Sequence, residues 1–309
     1  MTNLKKLGLT ALAGSLVAST AFAGSLDVSG AAKVSYNTGS NSASGTTSGN
    51  PFSMTRDIAF TGSGEMDNGM TISYDQLLSA GAFSSSGLAL DMGDAGTISF
   101  RNGGSGGHGI GAYEDKVPTA GEQVWDDLDG QANGVLTKNA TNKIGYGTSF
   151  AGANISVDYN KQQDGGSGKS VAIDYAPMDG MMVFVAMSDE YSGTNTSTDQ
   201  STFGGTYTTG PLTAGIQMTS IDFSAANSDT DRTHIGASFA VNEDLSVSFG
   251  MSTVEFESAA KTDQEDSGFS ASYTMGSMSL TAAFDSSDNV GGTSGTDDEH
   301  KEIGLAFAF

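Results

Sequence analysis

The last ten residues, His300 to Phe309, place Ile303, Leu305, Phe307 and Phe309 on one face and Glu302, Gly304, Ala306 and Ala308 on the other. Strict alternation predicts a β-strand, because successive side chains point to opposite faces. A bare edge strand with an aromatic tail invites aggregation in water. The same strand is at home where it closes a barrel and one face meets lipid. The period of two recurs upstream. Leu26, Val28, Val34 and Tyr36 predict a first strand, Ile58 and Phe60 a second, and Met70, Ile72 and Tyr74 a third. Leu88, Leu90 and Met92 predict a fourth, and Ile98 and Phe100 a fifth. After an interruption the pattern resumes at Ile144, Ile155 and Val171, then at Phe203, Leu212, Ile235, Leu245, Phe269 and Met278. The run 181–187 (MMVFVAM) is apolar on both faces, so alternation leaves its register open. With the terminal segment the expectation is sixteen strands.

The connections alternate in length. Short turns fall at 63–69, 93–96, 149–153, 176–180, 208–211, 241–244 and 274–277. Longer polar stretches fall at 37–51, 78–86, 101–141, 161–169, 189–200, 222–232, 257–267 and 286–300. An even strand number with short turns on one side and long loops on the other is the layout of an antiparallel transmembrane β-barrel, both termini on the short-turn side. Asn68-Gly69 is a hairpin signal. Tyr36, Tyr146, Tyr175, Tyr207, Tyr273 and Phe309 stand at strand ends, where aromatic girdles meet the membrane interfaces. A sixteen-strand barrel is wide enough for its interior to stay open to water. Residues 101–141 break the rhythm and hold the single tryptophan, Trp125, among acids. A loop so long implies a task of its own.

Composition narrows the choice further. The 309 residues include no cysteine, which excludes disulfides, thiolate catalysis and thiolate metal sites. A net charge of −23 argues against nucleic acid, since there is no basic footprint. High net charge and low hydrophobicity would suggest disorder, but Phe and Tyr recur in alternating runs throughout. Lys5 and Lys6, an apolar run from Leu7 to Ala18 and the Ala21-Phe22-Ala23 triplet predict a signal peptide over 1–23, cleaved after Ala23. The apolar run is too short to span a bilayer. The barrel domain is then 24–309, with a charge of −25 from 11 basic and 36 acidic residues. A secreted adhesin or β-helix would need a short fixed repeat, and the chain has none.

Taken together, the Ala-Phe-Ala processing site, the strand rhythm, the terminal Phe309 and the segment LALDMGDAGTISFRN (88–102) resemble the general porins of alphaproteobacteria, the Rhodobacter-type family. The segment resembles the strand-turn-strand that leads into that family's third loop. It departs from the family at Ala95, where an aromatic is usual, and at Arg101-Asn102, where Gly-Asp is usual. The resemblance implies a homotrimer in the outer membrane of a Gram-negative bacterium, with 101–141 folded inside each barrel to constrict the pore.

Candidate chemistry is sparse. Residues 104–109 (GSGGHG) fit a dinucleotide-loop pattern, but no amphipathic helix follows them. Gly168-Lys169-Ser170 lacks the first glycine of a P-loop. His108, His234 and His300 are scattered, and no catalytic set has motif support. The constriction has more behind it. Glu114, Asp115, Glu122, Asp126, Asp127 and Asp129, with Lys116 and Lys138, populate the long loop. Alternation turns Lys33, Arg101, Lys143 and Arg232 inward as a basic wall, along with Asp27, Asp75, Asp91, Asp158 and Asp174. Acids facing bases across a narrow waist set a transverse field, and charged rings with a given diameter select ions. The acid excess predicts a cation-leaning pore. Arg56, in phase with Ile58 and Phe60, would face lipid, and a bulge or rim position is the expected resolution. Asp229 and Asp231, or Asp297, Asp298 and Glu299, could supply hard oxygens to Ca²⁺, although no EF-hand loop is present. The expected function is passive diffusion of small hydrophilic solutes and ions, without catalysis and without a resident cofactor. A substrate-selective channel of the same fold and a non-conducting adhesive β-protein are the alternatives.

Overall fold

A computed structural model describes residues 24, 26–39, 50–103, 107–130, 134–136, 142–161, 165–192 and 196–309. The leader with its cleavage point after Ala23, most of loop 37–51, and Lys138 lie outside the described residues. Sixteen antiparallel strands close into one barrel in sequence order. The first five are β1 (Leu26–Gly39), β2 (Phe52–Glu65), β3 (Thr71–Ser79), β4 (Ala82–Asp91) and β5 (Thr97–Asn102). After the long loop come β6 (Lys143–Phe150), β7 (Ala153–Lys161), β8 (Ser167–Met178), β9 (Met181–Ser192), β10 (Thr196–Thr209) and β11 (Leu212–Phe223). The barrel ends with β12 (Thr230–Ala240), β13 (Leu245–Phe256), β14 (Gln264–Met275), β15 (Met278–Asp288) and β16 (Asp298–Ala308). Among the described residues no helix is long and apolar enough to cross a membrane.

The seam depends on the terminal strand. β16 pairs with β1 from Ala31 opposite Ala308 to Gly39 opposite His300. Phe309 then exchanges both backbone hydrogen bonds with Gly30, at 2.8 and 3.2 Å. Closure leaves no edge, so no backbone donor or acceptor of the sheet is left facing lipid. Ile303 and Phe309 are exposed on the outer face, while Glu302 and His300 are enclosed on the inner one.

Polarity is inverted relative to a water-soluble fold. Exposed apolar residues such as Phe249, Phe269 and Phe284 sit side by side across β13, β14 and β15 on the outer face. Enclosed positions are Ser248, Ser270, Gln217, Gln264 and Thr202. Tyr36 meets Phe52 edge-on at 5.4 Å at one rim, and the Tyr146 hydroxyl donates to the Ala95 carbonyl at the other.

Three expected loops need correction. The stretch 78–86 is no long loop: β3 runs to Ser79 and β4 begins at Ala82, joined by Ala80 (φ 52°) and Gly81 (φ 85°). Positive φ at both central residues is the type I′ hairpin geometry that matches strand twist. The polar serines that suggested a loop lie within β4. The connections 162–166 and 193–195 are likewise shorter than expected. Gly168-Lys169-Ser170 belongs to β8. Arg56 does face outward, without a bulge, at the level of the low Ala80-Gly81 turn, where its guanidinium reaches the Ala80 carbonyl. It therefore occupies the rim.

Replacing Phe249, mid-band on the lipid face, by Arg is expected to lower folding free energy in lipid vesicles by about 2–4 kcal/mol. The same change at Val241, beside a short turn, should cost only about 0–1 kcal/mol. Equal costs at the two positions in denaturant titrations would show that the lipid band does not run across Phe249.

Candidate functional site: an inward loop and its acidic arm

Of the segment between β5 and β6, the described residues 107–130 and 134–136 run along the inner wall of the barrel. Short polar side chains on the strands accept from the loop's backbone. Gly109 and Ile110 donate to the hydroxyls of Ser156 and Ser170, each at 3.0 Å. Lys116 donates to Gln217 Oε1 at 2.9 Å, and Gln217 Nε2 donates to the Tyr113 carbonyl at 2.8 Å. Ala120 and Gly121 donate to Ser248 and Ser270 at 2.8 and 3.1 Å. Asp129 donates to Asp298 at 2.9 Å, and on the returning limb Leu136 donates to Gln200 at 2.8 Å. Asp115 Oδ1 accepts from Gly134, tying the outgoing limb to the returning one.

Apolar contacts fasten the same loop. Ile110, Tyr113 and Val135 pack on Phe184 and Ala186 of β9 and on Ala172 of β8. This explains why 181–187 is apolar on both faces: Val185 and Met187 meet lipid, while Phe184 and Ala186 meet the loop. Further along, Val117, Val124 and Trp125 form a second cluster, with Trp125 edge-on to His234 at 4.2 Å. Inward glycines give the loop room. A Cβ on Gly236 would lie 2.8 Å from the Pro118 carbonyl oxygen, and one on Gly215 would lie 2.7 Å from Pro118 Cδ. A glycine inside a strand often marks such a close backbone approach.

The charged residues fall into two arms. At the loop root, Lys143 pairs with Asp158 at 3.1 Å and Arg101 with Asp75 at 3.2 Å, both facing inward. His108 lies between them, bonded through Nδ1 to Ser99 Oγ at 2.8 Å. Burial, with help from Lys143, pushes the His108 imidazole below its ordinary value and keeps it neutral. Tyr113 donates to Asp174 at 2.5 Å, and burial together with that bond pushes its phenol upward. Asp27 is exposed at a barrel mouth, and Asp91 caps a turn by accepting from Gly93.

The far arm is acidic. Glu122 Oε1 accepts from Lys33 at 2.7 Å, and the same ammonium pairs with Glu302. Asp126 and Asp127 follow in a turn, with Asp285 on the facing wall. Burial, reinforced by Asp115 and Glu122, raises the Asp126 carboxyl to about 6. Burial likewise raises Asp115, Glu122 and Asp129, with Lys33 pulling Glu122 back down. Arg232 stands beneath the loop, 2% exposed and within electrostatic reach of Asp115, so loop chain separates it from the open lumen. Glu114 lies at the Gln217 contact through its carbonyl, and the Lys116 ammonium sits 5.3 Å over the Tyr113 ring.

Among the described residues, Glu122, Asp127 and His300 bring three potential metal-ligand atoms within 4.8 Å of one another. The aspartates 229 and 231 and the 297–299 group form no such set. The sequence offered no sign of this meeting, because His300 is far from the loop in the chain and joins it only through barrel closure.

A family model described as Gram-negative porin matches residues 8–309. No curated protein sequence matches the chain. Among solved structures, an anion-selective porin from Comamonas acidovorans is 15% identical, with 93% of this chain and 100% of that one aligned and a TM-score of 0.69. A porin structure refined at 1.8 Å is 16% identical over 92% and 100% of the two chains, with a TM-score of 0.67. A triple mutant of the Rhodopseudomonas blastica porin is 13% identical over 92% and 100%, with a TM-score of 0.64.

Phe184→Ala should remove the inner anchor of the loop while the barrel still closes, at a cost of about 3–5 kcal/mol. Limited proteolysis should then cut within 103–142, and single-channel records should become noisier. Cleavage rates and noise equal to those of the parent would mean that the apolar cluster does not hold the loop.

Proposed function

The chain belongs to the Gram-negative porin family, and from that premise we propose a cation-preferring diffusion pore whose waist is the acidic arm of the inward loop. Membership makes it an outer-membrane channel and not an enzyme. The observation that carries the selectivity is the pairing of the lumen's bases. Lys33, Arg101 and Lys143 each contact a carboxylate, Lys33 two of them. Arg232 is screened by the loop. The loop acids Glu122, Asp126, Asp127 and Asp129 therefore leave a net negative waist. A confined region of one sign concentrates counter-ions, and salt screens partly buried charges less than fully exposed ones. The basic wall of Lys33, Arg101, Lys143 and Arg232 then acts as a set of local clamps on wall and loop acids.

The same proposal includes three further parts. Residues 1–23 are an export signal removed after Ala23. The pore is of the Rhodobacter general type, supported by the 88–102 segment and the barrel likeness. The working unit is a homotrimer, supported by the low wall at β3–β4, where the rim guanidinium of Arg56 would find better company in a protein neighbour than in lipid. The name of the Comamonas barrel favours a second reading, anion preference, which the sign of the reversal potential decides.

Asp126 gives the test a pH axis. Its folded carboxyl titrates above the unfolded one, so at neutral pH its charge costs stability. That cost falls as pH drops through about 6 and vanishes below the ordinary carboxylate range. Cation preference should fall over the same window, from about pH 7.5 to about pH 5. Bilayer reversal potentials in a salt gradient should show this, and Asp126→Asn should lower the preference at neutral pH and flatten the dependence. Anion preference at neutral pH would overturn the reading.

A further inference from the structure

The acidic arm contains a feature that solute diffusion does not use. His300 is 3% exposed, faces the lumen from β16, and has no hydrogen-bond partner on either ring nitrogen. Its Nε2 looks across 4.0 Å at Asp127 Oδ2 on the loop. Glu122 spends Oε1 on Lys33, while Oε2 is enclosed without a hydrogen-bond partner. Opposite His300 in the strand register stands Asp285 of β15, whose Oδ2 is likewise enclosed without a partner. An imidazole with both nitrogens unsatisfied among carboxylates is costly as it stands. A single cation would engage one His300 nitrogen and a Glu122 oxygen together.

We propose that Glu122, Asp127 and His300 bind a first-row divalent cation of the zinc class, and that the bound ion regulates the waist. This rests on the reading of the acidic arm as the constriction. The donor set decides the class of ion. Imidazole suits zinc, copper and nickel, whereas calcium prefers six to eight oxygens. One nitrogen and two carboxylate oxygens leave a position for water, as in open zinc sites. The donor atoms, now within 4.8 Å of one another, need to draw in by about an ångström to reach zinc–ligand lengths of about 2.0–2.2 Å. Asp127 can move, since it borders water with its side chain 37% exposed, and that exposure is also the route of entry. Lys33 keeps Glu302 as its partner when Glu122 turns to the metal.

Binding has two consequences for conduction. The ion ties the loop, through Glu122 and Asp127, to the β16 wall through His300. It also places two positive charges where the waist is most acidic. Conductance and cation preference should both fall.

The full-length protein in detergent is titrated with Zn²⁺ by calorimetry and with Co²⁺ by visible absorption. One ion per chain and a cobalt spectrum shifted by nitrogen ligation are expected. Asp127→Asn should weaken binding by about 10-fold or more, and His300→Gln should abolish the spectral shift. If His300→Gln does not fold, Asp127→Asn carries the test alone. Excess Ca²⁺ should leave the cobalt spectrum unchanged. In bilayers, micromolar Zn²⁺ should lower single-channel conductance and move the reversal potential toward anions, reversibly with chelator, in the parent and not in Asp127→Asn. No binding by the parent, equal binding by the variants, or displacement by Ca²⁺ overturns the site. Binding without a change in an open channel overturns its regulatory role. Stoichiometric binding by a protein that never conducts supports the site and instead rejects the open waist on which the regulation depends.

Discussion

The inward position of the long loop depends on one interaction repeated along the wall: a backbone amide of the loop donating to a side-chain oxygen of a strand. The described residues of the loop hold only one short 3-10 helix, Ile110–Tyr113, so each amide turned toward the wall needs a partner there. A buried amide without one costs about 1–3 kcal/mol. Ser156, Ser170, Gln217, Ser248, Ser270 and Asp298 supply the acceptors from six different strands. Because those strands are locked into a closed sheet, the acceptors form a rigid track. The loop inherits the precision of the barrel.

That track explains the inverted composition. Lipid needs an apolar outer face, and the loop together with water needs a polar inner one. Neither requires a conventional core, which is why a 37% hydrophobic content suffices for a fold of this size. Apolar residues turn inward at Phe184, Ala186 and Ala172, where the loop presents its own, and at Ile221, Val254 and Ala283 on other strands. The inward glycines at 215 and 236 serve the same docking, by letting the chain of Val117 and Pro118 lie against strand backbone.

The charges follow from where the loop comes to rest. At its root, acids and bases meet pairwise, and each pair hides its field from the lumen. At its far arm, the acids outnumber the single ammonium of Lys33. Asp127 adopts a left-handed backbone (φ 63°) within the turn, a conformation that aspartate tolerates better than most residues. Raised carboxyl groups at Glu122 and Asp126 are the electrostatic cost of crowding like charges beside protein instead of water.

Strand number, polarity of each face, the hairpin at Asn68-Gly69 and the presence of an unusual loop were all legible in the residues, because each rests on local periodicity or turn chemistry. The sequence by itself also determined the excess of acids over bases, since their number does not depend on how the chain folds. Three matters were decided only by tertiary structure. The Ala80-Gly81 turn replaced an expected loop, since serines serve equally well in loops and on a water-facing strand. The register of β9 required knowing that a loop would pack against its inner face. Barrel closure placed His300 beside Glu122 and Asp127, residues separated by most of the chain, and local pattern carries no information about which distant side chains a closed sheet will bring together.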